Sequence, residues 1–200
     1  MKHQILLNNV LITVVIILII YCSITVYKEK MEALEMRKSS LNGKMYGIQE
    51  MLPEAHRTAD EIARVEKYID RLITYLDNKY QSGRDRRVDR LVNRLHNIRL
   101  EESPFEPDTS SYTLNKGELI AVCLRNKEHK GFHDFELLKF VIIHELAHVA
   151  SVSTGHNQEF IDNFKWLLQE AHDAGMYHPI DYSKNPVTYC GVDVTNNPML

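Results

Sequence analysis

The sequence predicts an α+β protein: a mainly helical domain with a small β-hairpin, preceded by an N-terminal transmembrane helix. Three observations predict this. An apolar run near the amino terminus carries no charge, apolar residues recur at helical spacing through much of the remainder, and Asn115-Lys116-Gly117 marks a tight turn between two β-like runs. The 200 residues suit one domain of moderate size with an appendage. A composition of 44% hydrophobic and 26% charged residues is that of a folded chain. The net charge of -3 gives no basis for a polyanionic partner, so nucleic acid is not expected. Of the three cysteines, Cys22 lies in the apolar run, which leaves at most one disulfide for Cys123 and Cys190. There is no C-x-x-C, hence no zinc ribbon and no redox motif of that kind.

Taken in order, residues 4–27 carry no charge, and residues 10–22 are almost wholly apolar. Crossing a bilayer takes roughly 20 such residues. Lys2 precedes the run, Lys28, Glu29 and Lys30 follow it, and Tyr21 and Tyr27 stand where interfacial aromatics sit. No small-residue cleavage site follows, so residues 1–27 read as an uncleaved single-pass anchor with the membrane as partner. The basic residues behind it lean the following domain towards the cytosol. Residues 28–43 read as a polar helical stalk and residues 44–200 as the folded domain.

Within that domain, residues 44–52 suit a short strand. Pro53 suits the first turn of a helix running to about Lys79, with Ile62, Val65, Ile69, Leu72, Ile73 and Leu76 on one face. A second helix follows Ser82-Gly83, with Val88, Leu91, Val92, Leu95 and Ile98 inward. Its arginines (Arg84, Arg86, Arg87, Arg90, Arg94 and Arg99) form either a phosphate-binding or lipid-headgroup face or, in preference, a solvated one paired locally with Asp85 and Asp89. Residues 103–111 are loop. In the hairpin that follows, Leu119, Ile120, Ala121 and Val122 are continuously apolar. They suit a buried strand that either pairs with an extended substrate or is purely structural.

The chemistry concentrates in His144-Glu145-Leu146-Ala147-His148. On a helix, residues i and i+4 share a face, so His144 and His148 can hold one metal ion, with Glu145 placed to act as general base on a metal-activated water. Asp134 offers the N-cap of this helix, and Ser153-Thr154-Gly155 ends it. His156, just beyond, is the expected third ligand, completing a site for a single Zn2+ with one open position. Glu170 is an alternative third ligand or a surface helix residue. Glu159 and Asp162 suit capping or the orientation of a ligand imidazole. In the tail, Tyr182 or Tyr189 could stabilise an oxyanion or pack over the site helices. The expected activity is zinc-dependent hydrolysis of peptide bonds in a protein or peptide substrate. The alternative is a zinc-binding scaffold without catalysis.

Residues 140–160, FVIIHELAHVASVSTGHNQEF, resemble the WLM/SprT-like zinc metallopeptidases, whose pattern is H-E-L-x-H, a short spacer and G-H-x-x-E-x-F or a close variant. His144, Glu145, His148, Gly155, His156, Glu159 and Phe160 carry the match. The resemblance implies a zincin-like metallopeptidase fold. With the hairpin and the tail DYSKNPVTYCG, it further resembles membrane-anchored versions from large DNA viruses, which implies a viral or virion membrane. Members of the group degrade proteins crosslinked to DNA; the missing zinc ribbon, the lack of a strong basic surface and the expected anchor count against that substrate class here, although the resemblance does not exclude nucleic acid.

Overall fold

The computed structural model describes residues 11–25, 34–81, 83–106 and 109–200. The chain divides into two compact units, Met1–Ala33 and Leu34–Leu200. In the first, residues 11–25 form helix α1. Among the described residues no helix is long and apolar enough to cross a membrane. This overturns the expected N-terminal transmembrane helix, and with it the single-pass localisation and the membrane partner. The remainder of the expected anchor, residues 1–10 and 26–27, and the stalk residues 28–33 lie outside the described residues, as do Ser82, Pro107 and Asp108.

The second unit is α+β. A five-stranded mixed sheet runs in the order β1-β2-β3-β5-β4, from β1 (Glu35–Lys38), β2 (Met45–Ile48), β3 (Arg99–Glu102), β4 (Tyr112–Leu114) and β5 (Leu119–Val122). β2, β3 and β5 are mutually parallel, and β1 and β4 close the edges antiparallel. Part of the expected stalk is therefore strand. Glu35–Lys38 pairs with Met45–Ile48 across its full length, because backbone groups in an extended segment are satisfied by a neighbouring strand. A separate hairpin joins β6 (Val187–Tyr189) and β7 (Val192–Val194). Its two-residue turn, Cys190-Gly191, has φ of 50° and 84°, the doubly left-handed backbone of a type I′ turn.

The helices are α2 (Ala55–Tyr80), α3 (Arg86–Leu95), α4 (Phe135–Ala150) and α5 (Gln158–Asp173). The amphipathic helices α2, α3 and α5 each bury one stripe. α4 instead buries Leu137, Leu138, Val141, Ile142, Leu146 and Val149 around its circumference, as expected of a helix enclosed by neighbours. It packs against α2, α3, α5 and β4. Asp134 caps its start, the carboxylate accepting from the Glu136 N–H at 2.8 Å. The turn between β4 and β5 touches the far end of α4. Gly117 has φ +113°, and a Cβ there would lie 3.2 Å from Val149, so only glycine fits.

One buried ion pair ties the sheet to α2. Arg125 and Glu102 are both almost wholly enclosed, with Nε 2.9 Å from the carboxylate. Arg125 also donates to the Pro53 carbonyl and the Thr58 hydroxyl, and the second Glu102 oxygen accepts from Gln49 N–H at 2.7 Å. Removing one partner strands the other charge. Arg125→Met is predicted to lower unfolding free energy by about 3–5 kcal/mol, read from urea denaturation. Adding Glu102→Gln should recover part of the loss, and equal instability of the single and double variants would show that the stranded charge is not the cause.

Candidate metal centre

The three histidines converge. One nitrogen from each of His144, His148 and His156 lies within 4.8 Å of the others, and His144 Nε2 is 3.1 Å from His156 Nε2. The ring centroids are 5.1, 5.0 and 4.9 Å apart pairwise. The i, i+4 spacing on α4 places the first two, and the loop of residues 151–157 turns back to bring the third. Phe160, on the first turn of α5, lies against all three rings at 4.8, 4.3 and 4.7 Å. Burial holds His144 well below the usual imidazole range, at about 3, and the charges of His148 and His156 add to it. His148 is lowered to about 4 by burial, then by His156 and Lys116. Both imidazoles are therefore neutral at physiological pH, with lone pairs free to ligate. A converging three-nitrogen donor set fits a catalytic zinc site.

Glu145 is enclosed beside this cluster, with 4% exposure. Burial raises its carboxyl to about 7, offset in part by the Thr113 hydroxyl, which donates to Oε2 at 2.7 Å. The cluster and Glu145 open on a cleft of about 610 Å³, bordered opposite by Ser111, Tyr112 and Thr113. Neither the Phe160 shelf nor the Thr113 bond was foreseen. The sequence pattern that carries Phe160 in the family signature was the available signal for the first, and none existed for the second.

The end of α4 is unusually well tied. A helix leaves its last four carbonyls without internal partners. Here Ala147 O accepts from Ser151 N–H and Oγ–H, His148 O from Lys116, Val149 O from Arg94 at 2.6 Å, and Ala150 O from Arg90. Two of the α3 arginines thus tie down the end of the helix that carries His144 and His148, where cations also suit the helix dipole. Glu159 accepts from Val152 N–H at 2.8 Å, from Ser153 N–H at 2.9 Å and from the Ser153 hydroxyl at 2.5 Å, closing the loop between His148 and His156.

Other expected residues are placed elsewhere. β5, with Leu119, Ile120, Ala121 and Val122, is paired on both sides, so its backbone offers no edge to a substrate. The free edge beside the cleft belongs to β4. Tyr182 is buried against Phe140, and Tyr189 is buried with its hydroxyl donating to Cys123 O at 2.7 Å. Neither borders the cleft, where the tyrosine present is Tyr112. Glu170 is not in the cluster. It joins α5 to the end of α2 through Lys79 and Tyr80, each at 2.7 Å. Asp162 accepts from Gln158 along α5.

Hydrogen bonds from Ser153 and Val152 hold the Glu159 carboxyl well below its usual range, to about 2. A depressed folded-state value contributes stability above the unfolded value, and that contribution is lost as pH falls through the folded one. Glu159→Gln is therefore predicted to lower the Tm at neutral pH. The gap to the parent should narrow as pH falls from about 4.5 towards 2, and a pH-independent gap in thermal scans would contradict this origin.

Comparison with known proteins places the centre in context. The description "WLM domain" fits residues 100–197, a stretch that contains β4, β5, both site helices and the β6–β7 hairpin. An uncharacterized protein of Acanthamoeba polyphaga mimivirus is 33% identical over 195 residues, 96% of each chain. The DNA-dependent metalloprotease WSS1 homolog 2 of Schizosaccharomyces pombe is 30% identical over 90 residues, 44% of this chain and 31% of that protein. A crystal structure of a Wss1 mutant from Saccharomyces cerevisiae superposes with a TM-score of 0.45 at 18% identity, covering 65% of this chain and 92% of that one. With a WLM match spanning the entire histidine site and a relative similar from end to end, the chain belongs to the WLM domain family.

Proposed function

We propose that the protein is a zinc-dependent metallopeptidase, with His144, His148 and His156 as metal ligands and Glu145 as general base. The observation that carries this is the convergence of three imidazoles beside an enclosed carboxyl in one open cleft. The WLM match and the metalloprotease named among the relatives support it. A bound zinc ion would supply Lewis acidity, acidifying a water molecule and polarising a scissile carbonyl.

The protein's own groups do the rest. Glu145 takes the proton of the attacking water and later delivers it to the leaving amine. A carboxyl raised to about 7 can do both near neutral pH. Thr113 fixes one carboxyl oxygen, leaving the other to face the reaction. The free edge of β4 suits an extended peptide, whose backbone would pair with Tyr112–Leu114 across the cleft from the histidines. The substrate class is therefore protein or peptide. The DNA dependence in the name of the fission-yeast relative is not extended to this chain, whose net charge is -3. Against a zinc-binding scaffold without catalysis stands Glu145 itself, since a purely structural site needs no buried carboxyl at that position.

Glu145→Gln is predicted to retain zinc at the parent stoichiometry while peptide hydrolysis falls by about 10²–10⁴-fold. Metal analysis and cleavage of an unstructured polypeptide check it together. A variant that cleaves as fast as the parent removes Glu145 from the role, and a well-folded parent without zinc affinity removes the centre itself.

A further inference from the structure

A second convergence of ligand atoms lies outside the histidine cleft. Cys123, His133 and Cys190 present two sulfurs and a ring nitrogen within 4.8 Å of one another. The two cysteines are joined as a disulfide, with Cα atoms 6.4 Å apart. His133 Nε2 stands 3.2 Å from Cys190 Sγ. Each donor is held by rigid backbone. Cys123 directly follows β5, and His133 N–H donates to Leu124 O at 2.9 Å beside the Arg125–Phe132 bridge. Cys190 is in the left-handed first position of the β6–β7 turn. Tyr189 locks that hairpin onto Cys123, since its hydroxyl donates to Cys123 O while Ser111 Oγ bridges Tyr189 Oη at 2.6 Å and accepts from Cys123 N–H. The Arg125 carbonyl lies 3.5 and 3.4 Å from the two sulfurs, an acceptor that a disulfide cannot use and a thiol can.

We propose that Cys123, His133 and Cys190 form a second, redox-gated metal site, closed as a disulfide when oxidised and binding a zinc-like ion when reduced. The redox step balances with a dithiol reductant. Two electrons and two protons pass to the pair, the S–S bond breaks, and the reductant becomes its own disulfide. Metal binding then releases the two thiol protons. Two thiolates on one tetrahedral zinc stand about 3.8 Å apart, given Zn–S bonds of about 2.3 Å. Side-chain rotation reaches that separation from Cα atoms 6.4 Å apart, so the three elements need not move. A two-sulfur, one-nitrogen set favours soft or borderline ions and leaves the fourth position to water or an incoming ligand. The donor chemistry separates this site from the all-nitrogen centre in α4, and its state reaches the cleft wall through Tyr189 and Ser111.

The test measures zinc bound to the full chain after equilibration with and without a thiol-free phosphine reductant. Reduction should roughly double bound zinc in the parent, by one further ion per chain. His133→Ala, which leaves the disulfide intact, and Cys190→Ser should show no increment. Cobalt substitution reads the donors directly: a thiolate-to-cobalt charge-transfer band should appear only in the reduced parent. Equal zinc content in both redox states with no such band overturns the proposal. His156→Ala removes zinc from the α4 centre alone, so its zinc content separates failure of that centre from failure of this one.

Discussion

The end of α4 is the constraint on which the site depends. His148 lies in its last turn, and His156 must return from a loop that begins where the helix stops. A frayed end would separate the two. The chain prevents fraying by giving all four terminal carbonyls donors, from Ser151, Lys116, Arg94 and Arg90. Three of those donors are cations, which the negative end of the helix dipole favours. Glu159 then closes the loop from the other side by taking the Val152 and Ser153 N–H groups. The same residues thus stabilise a helix and fix the spacing of three imidazoles.

The remaining architecture serves this arrangement. α4 is apolar around its circumference because α2, α3, α5 and β4 all cover it, so its imidazoles project from a rigid rod. α3 delivers Arg90 and Arg94. The β4–β5 turn approaches α4 through Gly117 and delivers Lys116. β4 itself contributes Thr113 to Glu145 and leaves its outer edge beside the cleft. The buried Arg125–Glu102 pair anchors the sheet to the start of α2.

What the sequence disclosed follows from interaction range. The His144–His148 pair, both site helices, the Asp134 cap and the Asn115–Gly117 turn depend on neighbours within a few residues, and all could be read directly. β1 and β3 could not. Each is four residues long with a polar or mixed pattern, and each is defined by partners distant in sequence. The α3 arginines read as a solvated face in preference to a ligand face, and their capping role was not legible, because the carbonyls they cap lie 55 and 60 residues away. The apolar run of β5 matches its burial on both faces, but which strand keeps a free edge depends on pairing with β3 and β4, and that is not local information. The apolar N-terminal segment meets a composition criterion for spanning a membrane, whereas no helix among the described residues is long and apolar enough to cross one.

Among the described residues two clusters of ligand atoms share one small domain, one of three imidazoles and one of two sulfurs and an imidazole. Their donor chemistry makes them distinguishable by a single spectroscopy. Zinc-edge X-ray absorption of the oxidised full chain tests the three-histidine centre most directly. The expected spectrum has three imidazole nitrogens and one oxygen at about 2.0–2.1 Å and no sulfur. Sulfur in the first shell of the oxidised protein, or a spectrum without the imidazole signature, would contradict the assignment of His144, His148 and His156.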